Sequence, residues 1–236
     1  VSKRSFLSGL LLLISSVSFT AAQTRPSDAQ SAINRGNRSF AKADYESALR
    51  EYRSVPPSAG ENYGQALYNI GVCYYELWRT SEAIDFYRKA IEARSGRYPR
   101  ASFALGVALE DQGRLAEAEV AYRQTIVAAN GKYAVAHYKL ALLAAGQGDY
   151  LEAATYFRQA SGQPGDHVPA SHNNLGVMLI HLDRLVDALH EFEMALRETG
   201  GNFDDAAYNL KLCRSLLTAP VTTQVAIFKS SEIHRR

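Results

Sequence analysis

A small residue recurs in this chain every 35 positions, at Gly36, Gly71, Gly106, Ala141 and Gly176, without insertion or deletion. Twelve residues after each stands an alanine: Ala48, Ala83, Ala118, Ala153 and Ala188. Four further on comes a ring: Tyr52, Tyr87, Tyr122, Phe157 and Phe192. Three series in step over five periods describe a repeat, and a unit of this size cannot bury its own apolar face. Such units are stable only when stacked. The fold is therefore an open-ended array rather than one closed core.

Each unit reads as two helices. Leu67, Ile70, Gly71 and Tyr74 fall on one stripe at helical spacing, and so do Ala83, Tyr87 and Ala90. Pro26, Pro56, Pro57, Pro99, Pro164, Pro169 and Pro220 all fall between the predicted helices or in a first turn. A proline in a helix interior costs about 3 kcal/mol or more, so this placement supports the boundaries. Gln112-Gly113-Arg114 and Gln147-Gly148-Asp149-Tyr150 read as turns between paired helices. The units run over about 29–63, 64–98, 99–133, 134–168 and 169–203, followed by one capping helix over about 203–217 and a loose tail over 218–236.

Leu67, Ile70-Gly71, Tyr74, Ala83, Tyr87 and Ala90 in the second unit, with Leu175-Gly176, Leu179, Ala188, Phe192 and Ala195 in the fifth, resemble the tetratricopeptide repeat family. The resemblance covers about residues 28–216 and implies an all-α, right-handed superhelical solenoid of five helix pairs and a cap. Two departures stand out. The period is 35 rather than the family's usual 34, which places one extra residue in each inter-repeat turn, and Trp78 occupies a turn position where glycine is usual. The packing logic stands without the family. Glycine or alanine in the first helix and alanine in the second allow close approach, and the ring is expected to fill the space between one pair and the next. The end units differ as an array requires, with Arg35, Arg38, Ser39 and Lys42 at one end and Lys211 and Arg214 at the other in place of apolar types.

The first residues read as an export signal. Lys3 and Arg4 precede an apolar run from Phe6 to Phe19, and Thr20-Ala21-Ala22 supply small residues for cleavage after Ala22. Residues 1–22 are thus expected to be a cleaved signal peptide, and retention as a membrane anchor is the alternative. Val1 is what a GUG start codon would give and points to a bacterium, so the expected location is the periplasm. The chain has 26 basic and 24 acidic residues, and Lys3 and Arg4 account for the excess. A neutral chain offers phosphate backbones no footprint, so nucleic acid is not an expected partner. Cys73 and Cys213 occupy equivalent sites four units apart, at least roughly 30 Å at ordinary helix spacings, too far for a disulfide.

Catalytic motifs are absent or near misses. His190-Glu191-Phe192-Glu193-Met194 starts like the zinc motif H-E-x-x-H, but methionine stands where the second histidine must be. His137 and His172 share a slot in adjacent units without a carboxylate fixed beside them in sequence, and read as packing or surface residues rather than ligands. No enzyme activity, metal or cofactor is expected. Binding is.

The family resemblance implies that first helices line a concave groove. Its positions carry over to Ile33, Asn37 and Phe40, to Tyr68, Val72 and Tyr75, to Arg100, Phe103 and Val107, to Tyr138 and Leu142, to Asn173, Val177 and Ile180, and to Tyr208. Tyrosines and aliphatics in a groove suit an extended peptide or an amphipathic helix, although inter-repeat core is the alternative for each. Relatives that clamp a terminal carboxylate carry lysine where Ile33 stands, which disfavours that function here. The expected function is a non-catalytic scaffold or adaptor for a protein or peptide in the bacterial cell envelope. The alternative is a chaperone-like or regulatory subunit for envelope clients or for peptidoglycan and glycan enzymes.

Overall fold

The computed structural model describes residues 26–218, all helices and turns, with no strand among them. Its helices are α1 (Pro26–Phe40), α2 (Tyr45–Arg53), α3 (Glu61–Glu76), α4 (Thr80–Ala93), α5 (Pro99–Asp111) and α6 (Leu115–Ala128), then α7 (Ala134–Gln147), α8 (Tyr150–Ser161), α9 (Val168–His181), α10 (Leu185–Glu198) and α11 (Asp204–Thr218). Each packs on the next, α1 also touches α3, and α9 touches α11. This is an all-α solenoid. Pro99 opens α5 and Pro169 is the second residue of α9, where a missing N–H removes no helical bond. No helix among the described residues is long and apolar enough to cross a membrane. The signal peptide expected over 1–22 and the tail beyond 218 lie outside the described residues.

The three sequence series form the centre of each pair. Ala48, Ala83, Ala118, Ala153 and Ala188 are each completely buried, and the five rings are at most 2 % exposed. The rings, however, are not confined to the space between one pair and the next. They lie inside their own pair, over the small residue of the first helix. A Cβ built on Gly71 would stand 2.6 Å from Cε1 of Tyr87, and on Gly106 or Gly176 it would stand 2.5 Å from Cε1 of Tyr122 or Phe192. Carbon atoms settle about 3.5–4.0 Å apart, so glycine is what lets these rings come down onto the helix backbone.

The turns bear on both departures from the family pattern. Three of the inter-repeat turns carry two successive left-handed residues, Ser95 and Gly96, Asn130 and Gly131, and Gly200 and Gly201, while those at Gly60 and Gly165 carry one positive-φ residue each. Within pairs, Ala43, Trp78, Gly113, Gly148 and Asp183 all have positive φ, at 57°, 59°, 72°, 82° and 58°. Tryptophan in that conformation is strained, because its Cβ crowds the backbone. Both ends are solvated as an array requires. Arg35 reaches Glu51 at 2.8 Å, Arg214 reaches Glu193 at 2.8 Å, and Arg38, Lys42 and Lys211 are exposed. Cys73 and Cys213 are buried, unbridged thiols.

Candidate partner-binding face

The first helices present one residue per turn in matching slots, and the structure divides those slots between core and surface. Ile33 and Asn173 are fully buried, Val177 is 3 % exposed and Tyr138 is 6 % exposed. None of these four offers a ligand an accessible surface. Phe40, Tyr68, Val72, Tyr75, Phe103, Val107, Leu142 and Ile180 are half-buried, while Asn37, Arg100 and Tyr208 are exposed. The accessible apolar strip is therefore concentrated on α3 and α5. It runs through Tyr68, Val72 and Tyr75 on one helix and Phe103 and Val107 on the next.

Several of these side chains also hold the array together. The Tyr68 ring lies 5.8 Å from that of Tyr87 and 5.5 Å from that of Tyr98, and Phe103 lies 5.6 Å from Tyr122 and 5.2 Å from Tyr133. Each is wedged between its own second helix and the entry to the next unit, so one edge packs and the other faces outward. Phe40 meets Tyr45 edge-on at 5.4 Å. Burial pushes the Tyr68 hydroxyl above the usual phenol range, partly opposed by Arg100, so the ring stays neutral in any physiological setting. The Tyr75 hydroxyl donates to Asp111 and is pushed up to about 12, by burial first and then by that carboxylate.

Asn173, expected in the groove, instead belongs to a buried polar chain. Asn209 Nδ2 donates to Asn173 Oδ1 at 2.9 Å, Asn173 Nδ2 donates to Asn174 Oδ1 at 3.2 Å, and Asn174 Nδ2 donates to the Tyr138 hydroxyl at 3.3 Å. Three asparagines with no exposure thus link α11, α9 and α7. Buried amides are tolerated because they satisfy one another. At the other end Asn37 Oδ1 accepts from the Tyr52 hydroxyl at 2.8 Å and from Asn69 Nδ2 at 3.2 Å. Nearer the middle, Glu110 accepts from the Tyr122 hydroxyl at 2.7 Å and lies 3.5 Å from Lys139 Nζ.

The two histidines that share a slot each have a local partner. His137 Nε2 lies 3.1 Å from the Gly131 carbonyl, and His172 Nδ1 lies 2.7 Å from Glu191 Oε2. A carboxylate does fix His172, from the neighbouring helix, which its sequence neighbours did not reveal. Among the described residues no three His, Cys, Asp or Glu side chains are grouped to hold a metal ion. On the outer face Arg88 meets Glu117 at 3.1 Å and Arg123 meets Glu152 at 3.0 Å, joining successive second helices. Their signal was legible, since Arg53, Arg88, Arg123 and Arg158 keep the 35-residue spacing, as do Glu82, Glu117, Glu152 and Asp187.

The tetratricopeptide repeat family model matches residues 28–98, 94–134 and 138–203. The chain belongs to the tetratricopeptide repeat family. No curated protein matches it. Among solved structures it is similar to MamA from Desulfovibrio magneticus RS-1, with 20% identity, TM-score 0.58, and 75% of this chain and 98% of that chain covered. It is also similar to YrrB, described as a tetratricopeptide protein with an unusual peptide-binding site, with 21% identity, TM-score 0.57, and 81% and 93% covered. PilF of Pseudomonas aeruginosa aligns with 17% identity, TM-score 0.57, and 82% and 94% covered. At these identities the likeness is one of fold. Tetratricopeptide proteins generally mediate protein–protein and peptide contacts, and this chain carries their architecture across its described length.

Proposed function

We propose that this tetratricopeptide protein is a non-catalytic adaptor that holds an extended peptide segment against the face of α3 and α5, and that it works in the bacterial cell envelope after export. The observation that carries the binding reading is the half-buried strip of Tyr68, Val72, Tyr75, Phe103 and Val107. Aromatic and aliphatic side chains are there held rigid from behind and left open in front, which limits the entropy lost when a partner settles on them. YrrB, with the same fold, supports a peptide as the partner class. Export is supported by the basic, apolar and small order of residues 3–22.

The test uses Val72→Asn with Val107→Asn, because neither valine is stacked between rings as Tyr68 and Phe103 are. The double variant, with a melting temperature close to wild type, is expected to lose capture of the native partner from an envelope extract. Arg88→Ala with Arg123→Ala on the outer face is expected to retain it. A folded inner-face variant that captures the same partner undiminished would refute the reading. Export is tested by sequencing the mature amino terminus in the native host. A start at Gln23 is expected, and an intact Val1 or Ser2 excludes cleavage.

A further inference from the structure

Trp78 is the only tryptophan in the chain and is 92 % exposed. It stands in the slot that holds Gly113 and Gly148 two turns along, with a left-handed φ of 59° that disfavours a large side chain. Nothing within its own fold accounts for it. Its surroundings do. Beside it opens a cleft of about 630 Å³ lined by Tyr75, Glu76, Trp78, Thr80 and Asp111. Two of the lining groups are aromatic and two are carboxylates. Asp111 accepts a hydrogen bond from Tyr75, but neither Asp111 nor Glu76 makes an ion pair among the described residues. The nearby Arg79 is already committed, to Glu82 and to the face of Tyr74 at 4.7 Å. Among the described residues the cleft is therefore anionic and aromatic with no cation of its own.

The geometry points to this cleft as a docking site for a lysine or arginine side chain of a basic peptide. A cation over the Trp78 face, with Glu76 and Asp111 beside it, gains both the ring quadrupole and direct Coulomb attraction. A neutral sugar would use the ring but leave the two charges uncompensated. The site deepens the peptide-binding reading, since Tyr75 belongs both to the cleft and to the strip on α3 and α5. It gives that peptide a charge requirement that the strip alone does not.

Because the chain has one tryptophan, its emission reports on this cleft alone. The full chain is titrated with hexa-arginine at low ionic strength, with hexaglutamate and chitotriose as comparisons. Hexa-arginine is expected to change the Trp78 emission saturably, and hexaglutamate is not. Glu76→Gln with Asp111→Asn, melting as wild type does, is expected to bind hexa-arginine about tenfold more weakly. Trp78→Gly, followed by calorimetry, is expected to lose binding while melting no lower than wild type. No saturable response from the wild type, or one that the carboxamide pair leaves unchanged, overturns the proposal. So does a response to chitotriose with none to hexa-arginine. The Val72→Asn, Val107→Asn variant separates the two readings. If it keeps both the native partner and the hexa-arginine response, the strip fails and the cleft stands. If the strip is needed for the partner but the wild-type cleft ignores hexa-arginine, the reverse holds.

Discussion

Gly106→Ala measures how closely ring and backbone meet in this fold. In an unobstructed helix the substitution would stabilise by about 1 kcal/mol, the difference in intrinsic propensity. Here the new Cβ would stand 2.5 Å from Cε1 and 2.7 Å from Cδ1 of Tyr122, so the ring must retreat by about 1 Å to restore contact distance. Tyr122 has no exposure, and its hydroxyl is tied to Glu110 at 2.7 Å, so retreat strains that bond as well. Overpacking of this kind costs roughly 1–3 kcal/mol. The net expectation is destabilisation by about 1 kcal/mol. The fourth unit shows the way out, because there Ala141 is paired with Phe157, a ring without a hydroxyl to anchor. Gly106→Ala should therefore cost about 1 kcal/mol less in a Tyr122→Phe background than in the wild type. Urea midpoints and melting temperatures of the four proteins give the cycle. A single variant stabilised by the full propensity gain, or two strictly additive substitutions, would refute the close-approach argument.

Ala118→Glu places an unpaired carboxylate at a fully buried contact and should cost about 3 kcal/mol or more, read as a collapse of the melting temperature; an unchanged melt would show that the alanine series does not mark packing. Trp78→Gly relieves the left-handed strain, and after the entropy that glycine adds to the unfolded chain it should stabilise by about 0.5–1 kcal/mol in a denaturant titration. Alkaline pH should unfold the chain, because Tyr52, Tyr75 and the Cys73 thiol are all pushed up to about 12, in each case mainly by burial. Their protons are held longer in the folded state, so the contribution is complete below the unfolded values and lost as pH climbs through the folded ones. Melting temperature should thus fall most steeply between about pH 10 and 12, and phenolate absorbance that titrates fully near 10 in folded protein would contradict this. Arg123→Ala removes two half-exposed ion pairs, to Glu119 and Glu152, and should cost less than about 1 kcal/mol by thermal melt.

The sequence carried the architecture because packing here depends on residue type at a fixed period. A buried Ala118 or a ring at Tyr122 leaves the same trace in every unit. The binding face is less legible because slot equivalence does not imply equal exposure. Tyr68, Phe103 and Tyr138 share a slot, yet Tyr138 is closed over by Phe157 and the Asn174 amide while the other two stay half-open. Asn173 reads as a groove residue, and only three-dimensional pairing shows that it bonds Asn209 inside. His172 likewise meets Glu191 across nineteen residues that no local motif connects. Periodicity gives the spacing of a ring contact but not the sides on which it is made, so the close approach of each ring to its own first helix appears only in three dimensions.

The amide chain from Asn209 through Asn173 and Asn174 to Tyr138 gives the solenoid a direction. A linear array has only nearest-neighbour couplings, so it opens from whichever end is weaker. At the amino-terminal end α2 has nine residues and is followed by Pro56-Pro57 and a short 3-10 turn, and its unit is tied to α3 by Asn69 Nδ2 donating to Asn37 Oδ1 at 3.2 Å. At the other end Asn209 of α11 is tied to Asn173 of α9, and through Asn174 to Tyr138 of α7, so the cap and the two units before it share one polar chain. The amino-terminal link couples one unit to its neighbour, whereas the carboxy-terminal chain couples the cap to two units, so opening is expected to be less cooperative at α1 and α2. Amide exchange should then report α1 and α2 as a unit that opens by itself, and the strip on α3 and α5 lies beside it.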